Sequence, residues 1–417
     1  MPSASDTTSV TTPDPGTTTG REGGSLRSTA LKLFGVAVLA AALLSFPAVA
    51  ANPFILSVGV VIMSYACLAT SWNFVGGFTG YISLGHASYS GLGAYATGLL
   101  VIHTSMNPWL AMLLAGLVVA ALAVPIGIAS LRVRGASFVI VSIALVLILL
   151  LVFQSWGSFT GGSNGLRVPR PFGPEVLRPE QHERFFYLHV ALLAVALLVW
   201  WLIDRSRFGM GLKAIREDED KAQALGVPTF TYKLIAFVVS AFFTALAGGL
   251  YALWFGFLDP IFQFSILVGS YMVLMSLLGG IRSLFGPLLG AVIVGYAVEY
   301  FKNQYGDTQF HLVAMGLLLG LVVLFMPDGI IPAATSLVDR FRPQRASIRE
   351  LSAGDLADQR RTTEPGAAQD DQQARTDDGA DVAEPDNPAT DNPATDNPTH
   401  EPTDKPNGTN VTEGARR

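Results

Sequence analysis

Charge is what this sequence lacks. Asp, Glu, Lys and Arg make up 14% of its 417 residues, where a soluble domain carries roughly 25%. None of the four occurs between Lys32 and Arg132, and the next gap runs from Arg134 to Arg167. So long a stretch cannot clothe a water-facing surface, which excludes a soluble globular fold and a nucleic-acid-binding protein. Cysteine is nearly absent too. Cys67 stands alone in an apolar run, so there is no internal disulfide framework and no indication of redox compartment. Also missing are a Gly-x-x-x-x-Gly-Lys-Ser/Thr phosphate loop, a Cys/His metal spacing and a nucleophile motif. These absences predict an integral membrane protein that is not an enzyme and binds no cofactor of its own.

The charge that is present is unevenly placed. From Glu350 to Arg417 there are 16 acids against 6 Lys and Arg, so the formal charge of −5 belongs to the tail. The rest of the chain carries a basic excess. The tail repeats Asp386-Asn387-Pro388-Ala389-Thr390 as Asp391-Asn392-Pro393-Ala394-Thr395 and has almost no large apolar residue. Such composition cannot bury enough apolar area to offset ordering entropy. The expected organisation is therefore a disordered N-terminal tail (1–25), a transmembrane domain (26–345) and an acidic disordered C-terminal tail (346–417).

A bilayer core about 30 Å thick needs about 20 helical residues. The apolar runs offer ten such segments, at 31–50, 53–74, 84–102, 108–130, 135–155, 185–203, 232–253, 261–280, 285–300 and 310–326. The predicted class is all-α: a polytopic helical membrane protein of about ten spans, eight to ten if one is re-entrant. Lys and Arg in short loops mark the cytoplasmic side. Ten crossings place Arg132 and Arg134, the run from Arg205 to Arg216, Arg282 and the cluster from Arg340 to Arg349 inside, with both termini cytoplasmic. The segment ending Ala48-Val49-Ala50 also has the look of a signal-peptide cleavage site; its length and polar extension favour retention. The first eight segments contain no Asp or Glu, and Glu299 is the one carboxylate in a predicted span. Ion-driven transporters usually place carboxylates in the membrane, so energy is expected to come from elsewhere.

Two kinds of segment carry further information. The internal loop 204–231 holds an expected amphipathic helix over 212–225, closed by Gly226 and Pro228 as a C-terminal stop. Leu212, Ile215, Ala222 and Leu225 fall on related faces of a helix that also carries Lys213, while Arg216, Glu217, Asp218 and the charges to Lys221 are expected to project into water. Such a helix suits docking on a cytosolic partner or is simply a solvated loop helix. Gly76, Gly77 and Gly80 precede Ser83 and His86. Glycine costs about 1 kcal/mol in a helix interior, so the cluster predicts a broken helix restarting near Ser83. These five residues line a translocation path in one reading and pack helices closely in the other. His103 and His189 are expected at the interface. Gly161, Gly162, Asn164 and Gly165 form an outer turn, and Gly279, Gly280, Gly286 and Gly290 let two helices approach.

Taken in order, these segments resemble the branched-chain amino-acid permeases of the LivM type, subunits of ABC importers. The resemblance rests on Asn73-Phe74-Val75-Gly76-Gly77 through His86, Leu131-Arg132-Val133-Arg134-Gly135, Thr160-Gly161-Gly162-Ser163-Asn164-Gly165, the loop Lys213–Pro228 with Tyr232-Lys233 and Ala247-Gly248-Gly249, and Gly279-Gly280-Ile281-Arg282. It covers roughly 50–332. Met326-Pro327-Asp328-Gly329 departs from it, since the family commonly has a basic residue before the proline. The resemblance implies a bacterial inner-membrane subunit and a second permease subunit, with two cytosolic ABC ATPases that bind the ATP and an external substrate-binding protein. It also implies that 212–225 is the ATPase-coupling helix. A branched-chain or other small amino acid is the implied substrate. Urea and short amides, or a self-sufficient secondary transporter or channel, are the alternatives.

Overall fold

The computed structural model describes residues 22–305, except 51, 174 and 175, together with 313, 316, 317, 320, 321, 324 and 329–333. The chain divides into two units, Met1–Arg342 and Pro343–Arg417, and the described residues lie in the first. Most of the predicted tail 1–25, the whole of 346–417 and most of the segment 310–326 lie outside them.

In chain order the elements are α1 (Glu22–Val49), α2 (Pro53–Thr79), α3 (His86–Thr104), α4 (Pro108–Ser130), α5 (Ala136–Ser155) and the short α6 (Gly157–Thr160). Then come β1 (Leu166–Arg167), α7 (Arg178–Arg205), α8 (Arg207–Glu217), α9 (Glu219–Ala224) and α10 (Thr229–Phe255). The last are β2 (Phe257–Leu258), α11 (Pro260–Gln263), α12 (Ile266–Gly279) and α13 (Gly286–Tyr305). The starts obey local chemistry. Asn52 and Asn107 cap α2 and α4 by accepting the N–H of Phe54 (2.9 Å) and Trp109 (3.0 Å), each with proline in the first turn, where a missing N–H costs nothing.

Among the described residues, six helices are long and apolar enough to cross a membrane: α2, α4, α5, α7, α10 and the α11–α12 pair, Pro260–Gly279. The expectation of about ten is thus met only in part. α1 is apolar enough only over Ala37–Val49. α3 and α13 form, but their glycines and polar side chains keep them below the same mark. The all-α expectation needs one small amendment, an antiparallel ribbon pairing Leu166 with Leu258 and Arg167 with Phe257.

α2 and α10 are the most buried spans and α5 the least. Small residues set how closely their neighbours come. A Cβ on Gly93 of α3 would lie 2.2 Å from the Ala245 carbonyl oxygen of α10, and one on Gly248 would lie 2.1 Å from that of Ser90. The two helices therefore touch backbone to backbone at both points. Gly248→Val should force them apart at a cost of about 1–3 kcal/mol, read as a lower melting temperature of the purified chain in detergent.

Candidate functional site

The predicted helix over 212–225 is in fact two helices. Asp218 is extended (φ −161°, ψ 108°), and its Oδ1 accepts the N–H groups of Asp220 (3.1 Å) and Lys221 (3.0 Å). That is an N-cap, so the acidic run opens α9 instead of continuing α8. The N–H of Lys221 and its nearby ammonium hold the Asp218 carboxyl below its ordinary value. Gly226 (φ +85°) closes α9: its N–H reaches the Gln223 carbonyl (2.9 Å) and that of Val227 reaches Ala222 (3.1 Å), the paired bonds of a Schellman stop.

The apolar face is shorter than expected. Leu212, Ile215 and Ala222 are buried, packing among Phe74, Phe78 and Trp200, whereas Leu225 is 84% exposed. It lies past the last turn of α9 and so leaves the face. Lys213 pairs with Asp204 at 2.6 Å.

Nor do all the charges project into water. Arg216 turns inward and donates from Nη1 to the carbonyl oxygen of Gly77 (2.8 Å), one of the last carbonyls of α2. A cation at that end also suits the helix dipole. Glu217 stays exposed beside it. Glu219 faces inward as well, accepting from Lys233 Nζ (2.5 Å) of α10 and from the Tyr81 hydroxyl (2.7 Å), while Tyr81 accepts from the same ammonium (2.9 Å). Arg134, from the loop before α5, reaches Glu219 (3.3 Å) and Asp220 (2.9 Å). Burial alone would push the Glu219 carboxyl up. Lys233, Tyr81 and Arg134 overcome it and hold the carboxyl below its ordinary value. Burial, and after it the same carboxylate, push the Tyr81 hydroxyl up.

The early glycines sit differently from expectation. α2 runs unbroken through Gly76 and Gly77 and stops at Gly80, whose φ is +75°. The interruption spans 80–85, and α3 begins at His86, not near Ser83. Trp72 Nε1 donates to the Ser83 carbonyl (2.7 Å), and the Leu84 N–H donates to Ser142 Oγ (3.1 Å), so the gap is fastened to α2 and α5. A Cβ on Gly76 would strike the Trp72 ring, and one on Gly80 would meet Arg216 Cγ at 3.1 Å. His86 is fully buried, its Nε2 sharing a hydrogen bond with Ser240 Oγ (2.8 Å) and its Nδ1 unpartnered among the described residues. His189 is buried against α2 and not interfacial; its Nδ1 lies 2.8 Å from the Phe185 carbonyl. His103 is exposed and stacks on Phe159.

At the opposite end Gly161, Gly162 and Gly165 all take positive φ. Gly162 is buried and Asn164 exposed. A Cβ on Gly165 would lie 2.6 Å from the Leu258 carbonyl oxygen. The turn and the ribbon beside it thus press α5's exit against α10's. Gly279, Gly286 and Gly290 bring α12 and α13 together: a Cβ on Gly290 would lie 1.7 Å from the Met275 carbonyl oxygen. Gly280 (φ +117°) makes the turn between them. Among the described residues no three His, Cys, Asp or Glu side chains gather to hold a metal ion.

What the sequence reading missed is the convergence itself. Gly77, Tyr81, Arg134, Arg216, Glu219 and Lys233 come from four separate segments and meet at the end of the molecule that carries the basic loops.

Comparison with known proteins gives the family. The family described as "Branched-chain amino acid transport system / permease component" matches residues 54–326. The "High-affinity branched-chain amino acid transport system permease protein LivM" of Salmonella typhimurium is 30% identical over 329 residues, covering 72% of this chain and 75% of that protein. LivM of Escherichia coli (strain K12) is 29% identical with the same coverage. The permease protein LivH of the same strain and the same named system is 29% identical over 286 residues, covering 64% of this chain and 91% of LivH. The matched stretch takes in every membrane-length helix described above, which makes this a multi-pass membrane protein. The chain belongs to the branched-chain amino acid transport system permease component family.

Proposed function

We propose that the chain is the transmembrane subunit of an ATP-driven importer of branched-chain amino acids, working from the bacterial inner membrane with its basic end in the cytoplasm. The single observation that carries the reading is the tie between α8–α9 and the membrane helices: Arg216 to the end of α2, and Glu219 to Lys233 of α10. A cytosolic ATPase gripping α8–α9 would move both spans, because neither tie is a loose surface contact. Leu225, Asp220 and Lys221 face solvent and are accessible to such a grip, the last two through surface ion pairs with Arg134 and Asp218. The family relationship supports a second permease subunit, since LivM and LivH are both named as permease proteins of one transport system. It also supports ATP held by partner subunits and substrate delivered from outside by a binding protein. In this reading Gly76, Gly77, Gly80, Ser83 and His86 flank the path and hold its shape. Gly161, Gly162, Asn164 and Gly165 belong to the face that meets the binding protein.

Reconstitution tests this directly. Vesicles containing this chain, a partner permease, the ATPases and the receptor should accumulate leucine only with ATP. Leucine or urea flux through the chain alone, driven by a gradient, would show a channel or secondary transporter instead.

A further inference from the structure

A small polar cavity of about 140 Å³ lies among α2, α3, α10, the α11–α12 break and α13, away from the Arg216 and Glu219 ties. Its size is well below the several hundred Å³ of a drug-sized site and suits one small molecule. Ser64, Ser90 and Gln263 line it at 4%, 6% and 8% exposure. None of their side chains has a hydrogen-bond partner among the described residues, nor do the hydroxyls of Tyr65 and Tyr251 on its wall. Polar groups that find no partner in the protein turn to water or a ligand, and several of them around one cavity mark a place where a polar guest can be held. The cavity also holds both signs of charge. Glu299 and Lys302, one turn apart on α13, face each other at 3.1 Å. The Glu299 side chain is 21% and that of Lys302 45% exposed, so the pair stands at the rim of the cavity, open to exchanging partners. Val61 and Val268 supply an apolar wall, and the interrupted helix α11–α12 is the kind of element that frames substrate sites in transporters.

We propose that this cavity binds a zwitterionic amino acid with a short apolar side chain. The ammonium sits against Glu299, the carboxylate against Lys302 and the unpaired hydroxyls, and the side chain against Val61 and Val268. A neutral amide such as urea has no charge to exchange with the Glu299–Lys302 pair, which would stay closed on itself. This site rests on the importer reading for its purpose but not for its chemistry.

The experiment uses the full chain with its partner subunits in membrane vesicles. Ser64→Cys, in a Cys67→Ser background, is alkylated with N-ethylmaleimide while leucine, leucinamide, isocaproate or urea is present. Leucine alone should slow alkylation, and Glu299→Gln should remove that protection. With the receptor left out, Glu299→Gln should raise the leucine concentration that gives half-protection about ten- to hundredfold, the value of a charge-assisted hydrogen bond, with Glu299→Asp partly restoring it. No protection by leucine, or equal protection by leucinamide and isocaproate, overturns the assignment. An unchanged half-protecting concentration in Glu299→Gln overturns it as well. The importer reading is judged separately by the unsubstituted assembly: import without protection removes the cavity and keeps the importer, and protection without ATP-driven import does the reverse.

Discussion

Lys233→Met is expected to abolish leucine uptake while ATP hydrolysis by the assembled transporter continues. The ammonium is 3% exposed and its partner Glu219 is 12% exposed, so the substitution leaves a mostly buried carboxylate with only the part-exposed Arg134 and the Tyr81 hydroxyl. Leaving a buried charge uncompensated costs about 3–5 kcal/mol; with Arg134 and Tyr81 still in place the loss should be smaller than that, read as a lower melting temperature. The double variant Lys233→Met/Glu219→Gln removes the stranded charge and should recover most of the stability without recovering transport. Recovery of transport as well would show that the pair only holds the fold. Acid should mimic the lesion. Glu219 is held below its ordinary value of 4.5, so on acidification the unfolded chain takes up the proton first. The stabilisation is complete above that value and fades as pH falls through the folded one, leaving the pair intact from pH 5 to 8.

Arg216→Met is expected to be nearly as severe for transport and far milder for the fold. Its guanidinium supplies the hydrogen bond to Gly77 at the end of α2, and a bond of that charged kind contributes about 1.5–3 kcal/mol. Uptake should fall about tenfold or more, with normal membrane insertion and ATPase activity. Arg216→Lys should restore part of it, because an ammonium still suits the helix end without the fork geometry. Wild-type uptake in Arg216→Met would mean that α8 does not act through α2.

The sequence spoke clearly wherever a feature was local. Pro53, Pro108 and the asparagines before them start α2 and α4 where expected, and Gly226 ends α9 as expected. Asp218 was legible in principle, since Asp followed by Glu219 and Asp220 is a helix-start signal, but the amphipathic pattern across 212–225 concealed it. The early glycines misled for another reason. Gly76 makes room for Trp72, and Gly77 for Ile281, so they serve contacts inside a continuous helix. Only Gly80 uses the backbone freedom that glycine gives. The convergence of Tyr81, Glu219 and Lys233 was not legible at all. Tyr81 stands 138 residues from Glu219, and no periodicity reports a pairing at that range.

One helix connects the two ends. α10 has 27 residues, about 40 Å at 1.5 Å per residue, with Lys233 in its first turns and Gly256 and the Phe257–Leu258 strand just past its end. It is therefore a tie rod: clamped to a salt bridge at one end and stitched to the 161–167 turn at the other. Tilting such a rod at one end must shear the stitching at the other, so the two ends of the helical bundle are geared to each other through a single stiff member.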